Sequence, residues 1–181
     1  PLRLRLRLDA ADAALHALRW ETLCDPDGAF LARSERLLLA RTLDSEGPAP
    51  LALGPREAAR ALLAVAAPDG LAAYGLAPLD AQRETARAAA ALGPIAHTLL
   101  ARSQGAAPTL SKIVAALRDG CDILMLVCHS TMHDGAPFLW LEDEAGAIAR
   151  LPAAELADAV ARLARPPALV LLSSCHGAGE L

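Results

Sequence analysis

The chain has 181 residues, of which 54% are hydrophobic, 21% charged and 3% aromatic, and its formal net charge is −4. That is the length of one domain, or of a domain with an extension, and it holds enough apolar residues for a real core, which excludes a disordered chain. The acidic balance speaks against a nucleic-acid binder, whose footprint is basic, and no uncharged run approaches the roughly 18 residues that a membrane helix needs.

Residues 2–8, Leu-Arg-Leu-Arg-Leu-Arg-Leu, alternate strictly. The pattern predicts a half-buried strand with leucines on one face and Arg3, Arg5 and Arg7 on the other. The arginine stripe reads as a solvated face that also blocks unwanted strand pairing; the alternative is a docking stripe for an acidic partner. Residues 10–23 are alanine-rich and predict a helix, broken by the turn Asp25-Pro-Asp-Gly28. Residues 30–33 and 36–41 predict two short strands or one interrupted strand. Residues 42–55, rich in Pro, Gly and acid, read as a loop. It separates an N-terminal β-rich extension, 1–54, from a core, 55–181.

The core then alternates. Residues 58–67 read as a first strand running into a Pro68-Asp-Gly70 turn. A helix over 79–92 ends at Gly93-Pro94. Residues 95–101 read as a second strand. A helix over 110–118 is capped by Thr109 and stopped at Gly120. Residues 121–128 read as a third strand, and 137–141 with 147–150 as a hairpin around Glu142-Asp-Glu-Ala-Gly146. A helix over 152–164 with Pro in its first turn leads to a fourth strand, 168–172. This order predicts an α/β fold with a parallel sheet and right-handed crossovers. The apolar run of the fourth strand suits a strand covered on both faces.

The third strand stops at His129 and the fourth at Cys175. Ligands and chemistry gather at the carboxyl ends of strands in open α/β sheets. If the two strands lie side by side, an imidazole and a thiol come out at one edge, the minimum for a cysteine nucleophile. The base is needed because a free thiol is mostly protonated at neutral pH. The plainer alternative is a small buried thiol and a satisfied histidine at a strand end. Cys24 and Cys121 read as ordinary thiols, and Cys128 as a packing residue on the face opposite His129. Cys128, His129, His133, Cys175 and His176 could in principle hold zinc, but adjacent Cys-His pairs lack the two-to-five-residue gaps of zinc motifs. His16 and His97 carry no motif. Asp134 and Glu142 to Glu144 read either as a pocket for a basic residue or as a solvated hairpin. The 17 basic residues include a single lysine, Lys112, a bias attributed to base composition. Free thiols with no secretory leader suit a cytoplasmic protein. Pro1 and the abrupt end after Cys175 suggest a piece of a longer chain.

From His129 to Cys175 the spacing is 46, and caspases place their His about 50 residues before a Gln-Ala-Cys-x-Gly signature. Here that position reads Ser173-Ser174-Cys175-His176-Gly177. The segments Asp122-Ile-Leu-Met-Leu-Val-Cys-His129, Phe138-Leu-Trp-Leu-Glu-Asp-Glu-Ala-Gly146, Leu151-Pro-Ala-Ala-Glu-Leu-Ala157 and the Cys175 strand follow in the order typical of CHAT proteases, bacterial relatives of caspases and separases. Leu18-Arg-Trp20-Glu21-Thr-Leu and Phe30-Leu-Ala-Arg-Ser34 resemble the segment before the core in that family, so the resemblance spans nearly the whole chain. Ser130 stands where the family usually has Gly after the His, and His176 where Glu is common.

The resemblance implies a caspase-like three-layer sandwich, a mainly parallel sheet flanked by helices, with the N-terminal β extension added and the C-terminal strands lying beyond Leu181. It implies a bacterial, cytoplasmic cysteine endopeptidase. Cys175 would be the nucleophile and His129 the acid–base group, and the backbone N–H groups of Ser130 and Cys175 would form the oxyanion hole. No cofactor or metal is expected. The expected partners are a protein or peptide substrate and repeat or regulatory modules in the same full-length protein, with no nucleic acid and no membrane. The alternative is a catalytically inactive CHAT-like domain that serves interaction or regulation.

Overall fold

The computed structural model describes residues 2–9, 11–44 and 55–174. The chain divides into two compact units, residues 1–50 and 51–180.

In the first unit β1 (Leu2–Asp9) and β2 (Leu37–Asp44) pair in parallel, from Leu2 against Leu37 to Asp9 against Asp44. The alternation of β1 is real: Arg3, Arg5 and Arg7 are exposed, while Leu4, Leu6 and Leu8 are progressively covered. The helix expected over 10–23 is cut to α1 (Ala13–Ala17). The Trp20 indole N–H donates to the Leu15 carbonyl at 2.7 Å, taking the acceptor that a continuing helix would give to residue 19. A 3₁₀ turn, Trp20–Thr22, follows instead. The turn at Asp25 forms as expected, its carboxylate accepting from the N–H groups of Asp27 and Ala29 with Gly28 at φ +83°. Residues 31–33 are a 3₁₀ turn, not a strand. β2 runs on into the segment expected to be a loop, and 45–54 lie outside the described residues.

The second unit is built on β3 (Arg60–Val65), α2 (Ala81–Leu92), β4 (Ala96–Ala101), α3 (Leu110–Arg118) and β5 (Ile123–Val127). There follow β6 (His129–His133), β7 (Ala136–Glu142), β8 (Ile148–Pro152), α4 (Ala153–Ala161) and β9 (Leu169–Ser173). Four strands form a parallel sheet in the order β4-β3-β5-β9, and β6-β7-β8 form a small antiparallel sheet. Successive side chains of β3 point to opposite faces, and each face has its own core. Leu62 and Ala64 join Leu124 and Leu126 with Ile113 and Leu117 of α3, Leu156 of α4, and Leu139, Leu141 and Leu151 of the small sheet. Ala61, Leu63 and Val65 join Ile123 and Val127 with Ala88 and Leu92 of α2. The result is three layers, helix, sheet and helix. Each fully buried leucine contributes about 1.5–3 kcal/mol.

The helix ends follow the sequence. The Asp80 carboxylate accepts from the Arg83 N–H, and the Thr109 hydroxyl from the Lys112 N–H. Gly120 takes φ +90° after α3, where a side chain would be strained. Among the described residues no helix is long and apolar enough to cross a membrane.

Two features depart from expectation. The segment 129–133 is a strand, although His-Ser-Thr-Met-His shows no apolar alternation. β9 is not covered on both faces. All five of its residues are exposed, Leu169 at 39% and Leu172 at 50%, and β5 is its one partner among the described strands. An apolar run encodes extended backbone, but what lies beside it is set by the rest of the fold.

Candidate functional site

Parallel strands bring their carboxyl ends to one edge. The ladder continues past the strands there: Ala66 N–H donates to Val127 O at 2.8 Å and Cys128 N–H to Ser173 O at 3.2 Å. His129 opens β6 and is 8% exposed. Its Nε2–H donates to the Ala77 carbonyl at 2.8 Å. A carbonyl only accepts, so the proton in this bond sits on Nε2 and the lone pair of the neutral ring is on Nδ1.

Both partners are held. Residues Leu71–Tyr74 form a 3₁₀ turn between Gly70 and Gly75, both left-handed, which brings the chain round to Ala77. Tyr74 meets Trp140 edge-on, the ring centroids 4.9 Å apart. Trp140 lies opposite His129 in the β6–β7 register, and its indole N–H donates to the Thr131 hydroxyl at 2.9 Å. Arg150 then lies over both Trp140 and Phe138, about 5 Å from each ring.

On the other side of His129, Ser130 is 4% exposed, and its hydroxyl donates to the Ser174 hydroxyl at 3.0 Å. An open cleft of roughly 460 Å³ is lined by Ala77, Asp80, Arg83, His129, Ser173 and Ser174, among others. Cys175 and His176 lie outside the described residues, as does the Cys175 N–H expected in the oxyanion hole. Ser174 is the last residue before them. Ser130 does not take a left-handed φ, which among the described non-glycine residues is found at Asp134 alone. Its Cβ therefore sits on backbone that any residue adopts.

The remaining candidates separate cleanly. Cys128 is buried in the core with Leu62, Leu124 and Leu126, and burial pushes its thiol up to about 12, partly offset by a hydrogen bond from the Trp140 backbone. Burial also raises Cys121, whose Sγ–H donates to Ala116 O at 3.7 Å. Cys24 is exposed. His133, at the far end of β6, is exposed and 3.4 Å from Asp134. Among the described residues no three of His, Cys, Asp and Glu come together to hold a metal. His16 donates to Asp9 O and His97 to Ile95 O.

The acidic hairpin is not solvated as a whole, and Glu142 lines a small cavity of roughly 280 Å³ with Ala67, Ala81, Arg102 and Ser103. Glu142 is 1% exposed. Its Oε1 accepts from Ala67 N–H at 2.7 Å, and its Oε2 is 3.6 Å from Arg102 Nε. Arg102 also grips the Asp69 carboxylate and the carbonyls of Ala67 and Gly146. The guanidinium hydrogen bond holds the Asp69 carboxyl below the usual carboxylate range. Asp143 caps the hairpin turn by accepting from Ala145 and Ala147 N–H, and Glu144 pairs with Lys112. Glu142, and Asp69 through Arg102, tie the segment that follows β3 to the hairpin, and Glu144 ties the hairpin to α3.

Sequence reasoning missed the Ala77 carbonyl, which has no side-chain signature, and the tie between Ser130 and Ser174. The second had a signal, since each serine adjoins a candidate residue. The family model of the CHAT domain matches residues 2–181, and the chain belongs to that family. No curated protein and no solved structure matches it.

Proposed function

We propose that this CHAT domain is a cysteine endopeptidase in which Cys175 is the nucleophile and His129 the acid–base group. The observation that carries the reading is the bond from His129 Nε2–H to Ala77 O. It fixes the tautomer and the ring plane and leaves Nδ1 as the basic atom, which is how a third group orients the base in nucleophilic catalysis. The register adds support. β5 and β9 run in parallel with Val127 opposite Ser173, so the carboxyl ends of the two strands lie side by side, with His129 two residues after Val127.

In this mechanism the Cys175 thiol gives its proton to His129 Nδ1, and the thiolate attacks the peptide carbonyl carbon. The oxyanion is held by the N–H groups of Ser130 and Cys175. The C–N bond breaks as the imidazolium returns the proton to the leaving amine. His129 then takes a proton from water, which attacks the thioester and releases the acid and the thiol. Protein chains are the substrate class, and regulatory modules of the same protein are its partners.

The test is the alkylation rate of each cysteine against pH, read by peptide mass spectrometry, on this chain and on His129→Ala. Cys175 should react fastest below pH 7 and lose that advantage in the variant. If Cys175 tracks Cys24 in both, the dyad does not exist. A second reading, an inactive interaction domain, is favoured by Ser130 and His176, which stand where the family usually has Gly and Glu, and would stand in that case.

A further inference from the structure

We propose that one face of the small β6-β7-β8 sheet binds an acidic peptide segment of a partner protein, with Arg150 taking a carboxylate and the rings beside it taking a neighbouring apolar side chain. Residues directly opposite on paired strands share a face. His129, Trp140 and Arg150 form one such row across β6, β7 and β8, and Thr131, Phe138 and Pro152 form the next. Leu139, Leu141 and Leu151 belong to the opposite face, in the core. The row sets Arg150 two strands away from His129, about 10 Å at the usual strand spacing.

Arg150 is prepared for a charged ligand. It is exposed, and its guanidinium carbon lies 5.2 Å from the centre of the Phe138 ring and 5.3 Å from that of Trp140. Trp140 is itself fixed: it is buried, its indole donates to Thr131, and Tyr74 meets it edge-on. Rings on this platform restrain the guanidinium plane, so little freedom is lost when its planar fork meets a carboxylate. Among the described residues that fork makes no hydrogen bond and no ion pair. Glu142, the acid on the same face of β7, is already held by the Ala67 N–H and Arg102. Apolar surface lies beside the arginine, since Phe138 is half-buried and Tyr74 is 57% exposed. Arginine with tyrosine and tryptophan is the composition that dominates protein contacts, and the unpaired positive charge selects an acidic partner. The inference concerns binding and does not depend on the dyad.

The experiment presents the whole chain to an array of short peptides in two matched sets. One set carries Asp or Glu beside Phe or Leu, and the other has the same sequences with Asn or Gln. The chain should bind the acidic set in preference to the amide set, and more weakly as salt is raised. For the best acidic peptide, Arg150→Gln should weaken binding about tenfold. Arg150→Lys, which keeps the charge and loses the planar fork, should weaken it about threefold. Arg118→Gln makes the same change of charge at an exposed position on α3 and should leave the affinity at the parent value. Should Arg150→Gln fail to fold, the lysine variant carries the same test. Equal binding of the two peptide sets, a parent-like Arg150→Gln or Arg150→Lys, or an equal loss in Arg118→Gln would each overturn the proposal. So would Arg150-dependent retention of a single-stranded RNA in place of the acidic peptides, which would make the face a phosphate binder. Retention is read without cleavage, so its failure leaves the dyad reading untouched, and failure of the alkylation test leaves this one untouched.

Discussion

Glu142 is the sharpest place to test whether the acidic hairpin is structural or part of a recognition pocket. Two substitutions separate its contributions. Glu142→Gln keeps an oxygen for the Ala67 N–H but removes the charge opposite Arg102. That charge pair is 3.6 Å apart, with the Arg102 side chain 39% exposed, so solvent screening leaves it worth well under about 1 kcal/mol. Glu142→Ala removes the acceptor as well, leaving the Ala67 N–H unpaired, at about 1–3 kcal/mol, and opens a small cavity that adds on the order of 1 kcal/mol. The glutamine variant should thus unfold within about 1 kcal/mol of the parent and the alanine variant about 3 kcal/mol earlier. The assay is urea unfolding followed by Trp140 fluorescence in a Trp20→Phe background, so that the signal comes from residues 51–180 alone. Equal losses in the two variants would show that charge, not the amide bond, does the holding. Parent-like stability in both would return Glu142 to the candidate list for substrate recognition.

Three further outcomes follow from the packing and the titrations. Leu126→Ala, in the core between β5 and α3, should cost about 2–5 kcal/mol, whereas Leu171→Ala on exposed β9 should cost under about 1 kcal/mol; equal losses by thermal melting would contradict the exposure of β9. Cys128, with its thiol pushed up to about 12, should have about one thiolate in ten thousand at pH 8 and resist iodoacetamide until urea unfolds the chain, so labelling in native buffer would refute its burial. The Asp69 carboxyl is held low by Arg102. Its contribution is therefore present above the ordinary carboxylate range and fades as pH falls through the lowered value. Asp69→Asn should flatten that part of a stability–pH curve, and an unchanged curve would mean that the pair contributes nothing in solution.

Much of the core was legible because local chemistry and global fold agree there. The unbroken run of β5 read as a buried strand, and Thr109, Gly93 and Gly120 marked helix ends, whereas the Asp80 cap of α2 was missed because that helix was begun at residue 79. The site was half legible. His129 stood out as a basic group ending an apolar strand, but its partner is a backbone oxygen 52 residues earlier, and any residue would supply one. β6 was hidden because its polar residues earn their strand conformation from pairing with β7 rather than from a buried face of their own. α1 was overestimated because alanine content reports helix propensity and not the competition from an indole for a carbonyl. The exposure of β9 was invisible for the same kind of reason: four apolar residues in a row state what the backbone does and not what it leans on.

That exposure has a thermodynamic consequence. Among the described residues β9 is secured by one ladder, the Ser130–Ser174 hydroxyl pair and little packing, and a strand held in that way can detach at a free energy well below that of global unfolding. His129 is buried, whereas Ser173 is exposed and Ser174 half-buried. On the proposed dyad, reaction would then depend on the docking of β9 as well as on global folding. Mild denaturant or warming should silence the site while both cores are still intact, and melting temperature alone would be a poor guide to how much of the protein can react.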